Sequence, residues 1–97
     1  MLFALTCLDK PDALETRLQT RPAHIEYIRA LGDKVKMGGP LIAEDGETMC
    51  GSLILIDADS RAEIEEIAAN DPYAKAGVFE SVSIQGYKWV INAPENL

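Results

Sequence analysis

A chain of 97 residues amounts to one domain, long enough to bury a core and short enough that association with a second copy adds usefully to stability. With 47% hydrophobic and 26% charged residues it has a globular composition, and no run approaches the roughly 18–20 apolar residues of a membrane span. Nine basic against 16 acidic residues give a net charge of −7, which argues against a nucleic-acid backbone or an anionic membrane as partner but leaves room for a small anion held by one local arginine.

The opening "MLFALTCLDK" has neither a basic leader region nor a small-residue cleavage site, so it reads as a strand and the expected location is cytoplasmic. Residues 2–8 are apolar on both faces, as suits a central strand. From Asp12 to Leu31 the spacing is helical, with Leu14 and Leu18 at i, i+4 and Ile25, Ile28 and Leu31 continuing the stripe. Pro22 interrupts it by removing a backbone donor and crowding the preceding turn. The expectation is a kink, or two helices with Thr20 capping the second and Pro22 in its first turn. Gly32 is a natural stop.

Residues 33–43 read as a second strand whose Gly-Gly-Pro marks a bulge or an edge, 44–48 as a turn, and 51–57 as a third strand. In 59–70, Ser60 and Glu63 fit a capping box, and Ile64, Ile67 and Ala68 form the apolar stripe of a short helix whose acidic face is solvated. Residues 70–77 form a loop with room for one helical turn, 78–91 a long last strand bent at Gly86, and 92–97 a loose tail. Cys7 and Cys50 lie in or beside apolar runs and lack a CxxC spacing, so both are expected to be free, buried thiols.

The resulting order, β-α-β-β-α-β, is the ferredoxin-like pattern, an α+β sandwich with both helices on one face of a four-stranded sheet. Val82 and Ile84 point one way along the last strand and Ser81 and Ser83 the other, so one sheet face is apolar and the other mixed. A mixed open face on a small domain calls for a cleft or a second subunit, with Tyr87 and Trp89 placed to take part. An RNA-binding module shares this order, but the charge and the lack of stacking aromatics on the central strands exclude it.

His24 is the only histidine, and with Ile28 and Leu31 at i+4 and i+7 it projects from the sheet-facing flank of its helix. It is either a structural histidine hydrogen-bonded inside the fold or a general acid/base, since an ordinary imidazole pKa of about 6.5 lets it give and take a proton near neutrality. Without a second histidine or a matching cysteine spacing, a metal is not expected. Asp71 is the candidate to hold the imidazole's tautomer, or it only caps the turn that Asp-Pro commonly starts. Tyr73 adds a phenol hydroxyl. Gly39-Pro40 and Gly51-Ser52 either let a ligand approach the backbone or mark bulges. Arg17 and Arg21 flank the proline-containing turn, and Arg21 is placed to meet an anion.

The stretches "RPAHIEYI" (21–28), "GGPL" (38–41), "GSLILID" (51–57) and "NDPYAKAGVFESVSIQGYKWV" (70–90) resemble the YciI-like (YCII-related) family of small dimeric α+β proteins, over nearly the whole chain from Leu2 to Val90. The resemblance implies a fold that dimerises through its sheets into a dimeric α+β barrel, and a site built on a histidine and an aspartate. These carry onto His24 and Asp71, with Ser52 as a third catalytic member and Arg21, Gly39, Pro40 and Tyr73 matching the substrate-binding surround. The turn "IAEDGETMCG" is short by the family's habit, which bears on the shape of the site mouth. At least one member type is a dehydrochlorinase of a chlorinated hydroxyquinol, without metal or organic cofactor, and others occur beside regulatory proteins. The expectation is a homodimeric, cofactor-independent enzyme using a His-Asp pair on a small polar or aromatic substrate, with lyase, isomerase or hydrolase chemistry open. The alternatives are a non-catalytic ligand binder and a regulatory dimer domain.

Overall fold

In the computed structural model, residues 1–95 are described. Strand β1 (Leu2–Asp9) alternates strictly, turning Phe3, Leu5 and Cys7 into the core, as the two-residue period of a strand requires. It is central: β3 (Met49–Asp57) pairs on one side and β4 (Phe79–Tyr87) on the other, and β2 (Val35–Ile42) lies outside β3. All three ladders are antiparallel, and their registers put Phe3, Leu5, Ile54, Ile56 and Ile84 on one face. Helices α1 (Leu14–Ala30) and α2 (Arg61–Asn70) cover that face, through Ile28 from the first and Ile64, Ile67 and Ala68 from the second. Ser60 caps α2 by accepting from the Glu63 amide at 3.1 Å, and a one-turn helix, α3 (Pro72–Lys75), follows directly.

The sheet is not closed into a barrel, contrary to the expected dimeric α+β barrel. It is open, with order β2-β3-β1-β4 and no ladder between the two outer strands. Four strands twisting by roughly 20–25° from one to the next do not bring their edges together, whereas closure needs more strands with a matching tilt and stagger. What stands is an α+β sandwich of one sheet layer and one helix layer.

Pro22 neither splits nor ends the first helix, which runs unbroken for 17 residues with no capping role for Thr20. The lost bond involves the carbonyl of Leu18, a residue 50% exposed, where an unpaired carbonyl is open to solvent. Contacts to the sheet and to α3 on both sides of Pro22 hold the helix together. Leu14 and Leu18 are exposed rather than inward, and the inward position of that half is taken by Arg17, 1% exposed.

Strand β4 stops at Tyr87 instead of continuing to residue 91, because Tyr87 pairs with Leu2, where β1 begins. Gly86 stays in register opposite Phe3, and the irregularity in this ladder falls at Leu8/Asp9 instead. Val82 is in register with core-facing Cys7 but remains 40% exposed, since β4 is an edge. Gly39 and Pro40 sit on the other edge strand, with register shifts on either side of them. Gly51 does not line the cavity but borders the register shift between β2 and β3, where Leu41 pairs with Gly51 and Ile42 with Met49, and a Cβ there would run into the Cys7 carbonyl oxygen of the adjacent strand. Cys7 is buried and Cys50 exposed, so only one of the two thiols is a core residue. Of the expected tail, residues 92–95 carry no helix or strand, and 96–97 lie outside the described residues. Among the described residues no helix is long and apolar enough to cross a membrane.

Candidate active site

Residues Arg17, Arg21, His24 and Ile28 recur at i, i+4, i+7 and i+11 and so line one flank of α1. At the start of this stripe the Arg17 guanidinium meets Asp9, at the end of β1, in a bidentate pair: Nε donates to Oδ2 at 2.7 Å and Nη2 to Oδ1 at 2.9 Å. Nη2 also donates to the Ser52 hydroxyl of β3 at 2.9 Å. Burial alone would push the arginine toward losing its proton. The Asp9 hydrogen bond and charge outweigh that and raise its pKa above the ordinary value.

Two turns further along α1, His24 Nδ1 lies 2.9 and 3.1 Å from the two Asp71 oxygens. Asp71 sits at the α2–α3 junction, 5% exposed, and its Oδ1 also accepts from the Tyr73 amide at 2.9 Å. The two sequence readings of Asp71 are therefore both realised in one side chain: it caps the turn, and the cap aims its carboxylate at the histidine. A carboxylate accepts and does not donate, so the neutral imidazole carries its proton on Nδ1, an assignment made from the bonding pattern. Among the described residues the other ring nitrogen, Nε2, has no hydrogen-bond partner.

Tyr73 ties the two halves together. Its ring stacks on His24 with centroids 4.0 Å apart and 17° between planes, and the Arg17 guanidinium carbon lies 4.4 Å from the ring centroid. The ring holds both polar side chains by contact as well as by charge. Burial raises the pKa of the Tyr73 phenol, against the opposing charges of Arg17 and Arg21.

These groups border a cavity of about 230 Å³ lined by Arg17, Arg21, His24, Ser52 and Tyr73, by Gly38, Gly39 and Pro40 of β2, and by apolar side chains including Ile28 and Ile54. Neither Asp9 nor Asp71 lines it. Each carboxylate stands behind the group it holds, leaving an imidazole nitrogen, a hydroxyl and guanidinium edges toward the space. All seven expected site residues converge here: six line the cavity, and Asp71 supports it from behind.

Sequence reasoning missed Asp9 and the burial of Arg17. The available signal was the seven-residue interval from Arg17 to His24, which puts both on one helix flank; it was masked by the more conspicuous Leu14–Leu18 pair. Among the described residues no group of three or more His, Cys, Asp or Glu could hold a metal ion.

A family model described as the YCII-related domain matches residues 1–88. Protein YciI of Escherichia coli is 35% identical over 97 residues, spanning 93% of this chain and 99% of that one. A protein of Emericella nidulans named derivative of benzaldehyde biosynthesis cluster protein C is 42% identical over 72 residues, 66% of this chain and 74% of its own. Among solved structures, 5-chloro-2-hydroxyhydroquinone dehydrochlorinase from Burkholderia phenoliruptrix AC1100, in complex with 2,5-dihydroxybenzoquinone, superposes with a TM-score of 0.83 at 33% identity, covering 91% of this chain and 94% of the other.

Proposed function

This chain belongs to the YCII-related domain family, and from that premise we propose that it is a cofactor-independent enzyme performing general acid/base chemistry on a small polar or aromatic substrate. The observation that carries the reading is the imidazole fixed through Nδ1 on a buried carboxylate, with Nε2 unengaged beside a cavity that also receives Ser52 and Arg17. His24 Nε2 takes a proton from the substrate, and Asp71 stabilises the imidazolium. The electron pair released moves onto a ring oxygen or expels a leaving group on the neighbouring carbon, and the imidazolium then returns its proton. Ser52 accepts from Arg17, so its own hydroxyl proton is directed at the oxygen that gains charge, with the guanidinium behind it. Arg21, Gly39, Pro40 and Tyr73 form the walls that position the ring.

Size agrees with this substrate class: a cavity of about 150 Å³ is enough to hold benzene, so about 230 Å³ accommodates one ring with polar substituents. The dehydrochlorinase likeness supports a ring substrate bearing adjacent oxygens. The test uses 5-chloro-2-hydroxyhydroquinone as first probe and follows its loss by absorbance. Turnover is expected in the wild type and at least about 100-fold less in His24→Gln. Equal turnover by that variant would refute the assignment, and tight binding without turnover would leave a ligand-binding domain.

The same reading includes a homodimer working in the cytoplasm. On the sheet face away from the helices, Leu8 and Met37 are exposed at 48% and 44% beside half-buried Leu41 and Leu53, which suits cover by a second copy. Light scattering is expected to give twice the 10.6 kDa chain mass, and a monomer at micromolar concentration would refute the dimer.

A further inference from the structure

The chain has four arginines, and three of them, Arg17, Arg21 and Arg29, line the one cavity described above, while no aspartate or glutamate lines it. In a protein with 16 acidic residues this distribution runs against the overall charge. Arg17 is neutralised by Asp9, and His24, when protonated, is balanced by Asp71. Elsewhere Lys34 and Arg61 have carboxylate partners, Glu63 and Glu65, while Lys10, Lys36, Lys75 and Lys88 have none among the described residues and lie away from the cavity. Arg21 and Arg29 have none among the described residues, although Glu26 lies between them on the same helix. The cavity therefore carries two uncompensated permanent cations at its exposed rim, separate from the donors that face the reacting centre.

Charge that develops during a reaction is stabilised by groups at the reacting atoms, here Ser52 and Arg17. Permanent cations at the rim act alike on ground state and transition state, so they select which molecule binds. Eight residues of helix separate Arg21 from Arg29 by about 12 Å, too far for both to close on one group. A single guanidinium fork matches a planar carboxylate.

Resting on the functional reading above, we propose that the physiological ligand is a single-ring compound bearing a permanent carboxylate, held at the rim by Arg21, with Arg29 adding to the field that draws it in. Arg21 is thus a specificity-determining residue. Its position beside the stacked Tyr73, whose phenol feels its charge, places the carboxylate at the cavity entrance and the ring against His24.

The unique histidine supplies the readout, since ligand entry shifts a single imidazole ring signal in the NMR spectrum. The probes are 2,5-dihydroxybenzoate and its uncharged methyl ester, titrated at neutral pH. The acid is expected to bind about tenfold more tightly than the ester at low salt, and the advantage to shrink at high salt. In Arg21→Gln the ratio is expected to fall to about one, with the acid losing far more affinity than the ester, and Arg29→Gln to show a smaller drop. Equal binding of acid and ester, or a ratio that survives Arg21→Gln, overturns the carboxylate inference while the enzymatic reading stands. If neither compound moves the ring signal, both fall together.

Discussion

Replacing Asp9 with asparagine keeps the shape of the side chain and removes its charge, leaving the Arg17 guanidinium in place with one carbonyl where a carboxylate had taken two bonds. The side chains of this pair are 2% and 6% exposed, so water does not step in. At about 4 Å between charges and an effective dielectric constant of about 20, the lost attraction is about 4 kcal/mol. That agrees with the roughly 3–5 kcal/mol usually lost when one partner of a buried pair is removed. Domains of this size hold together by roughly 5–15 kcal/mol, so one substitution removes a large share of the total. The melting temperature is expected to fall by roughly 12 °C or more, at about 4–8 °C per kcal/mol. Urea titration at neutral pH gives the free energy from the shift in midpoint at constant slope. The companion variant, Asp9→Leu with Arg17→Met, takes out both charges and is expected to recover all but about 1 kcal/mol of the loss, the remainder being the donor that Ser52 no longer has. The argument is refuted if Asp9→Asn costs less than about 1 kcal/mol, or if the double variant is no more stable than the single one.

Four further outcomes are expected. Asp71→Asn, whose amide can flip to donate, leaves His24 without a fixed acceptor, so nitrogen-15 spectra should change from a single Nδ1–H tautomer to a mixture; an unchanged pattern would separate the tautomer from Asp71. Burial pushes the Cys7 thiol from 9.0 up to about 12, while Cys50 is exposed, so a thiol reagent at mildly alkaline pH should consume one equivalent quickly, and fast reaction of two would contradict the burial. Because the folded thiol holds its proton above the value of the unfolded chain, its contribution to stability is complete below pH 9.0 and lost as pH rises toward 12; wild type should show this loss and Cys7→Ala should not. Gly51→Ala forces a methyl onto the Cys7 carbonyl in the middle of the sheet and should destabilise by about 1–3 kcal/mol in the same urea assay, with no loss arguing that the strands can part there.

Patterns governed by local period were legible in the sequence. Alternation in β1, the Ser60 cap and the Asp-Pro turn each depend on residues within a few positions of one another, and the order of elements follows from them. What was not legible depended on partners far away in the chain. The inward position of Arg17 is acceptable only because Asp9 and Ser52 are brought to it, and a helix considered alone gives that position to leucine. The fate of Pro22 turns on whether its missing bond faces water, and the end of β4 on where its neighbour β1 starts. The expected barrel came from the resemblance, and the strand edges of this chain do not meet. His24 and Asp71, 47 positions apart, could be named as a pair only because the topology and the family resemblance agreed in bringing them together.

The spacing of those partners along the chain also sets an order of assembly. Asp9 and Arg17 are eight residues apart, and Ser52 joins them once β3 has paired with β1. Asp71 and Tyr73 reach His24 only after α2 has docked, from near the other end of the sequence. During synthesis, then, a nascent chain that has emerged only through β3 holds the arginine and serine of the pocket with an unsupported imidazole. The His24–Asp71 contact is thus the last part of the pocket to form, and a change in the His24 ring signal during time-resolved refolding would mark the docking of α2 and α3.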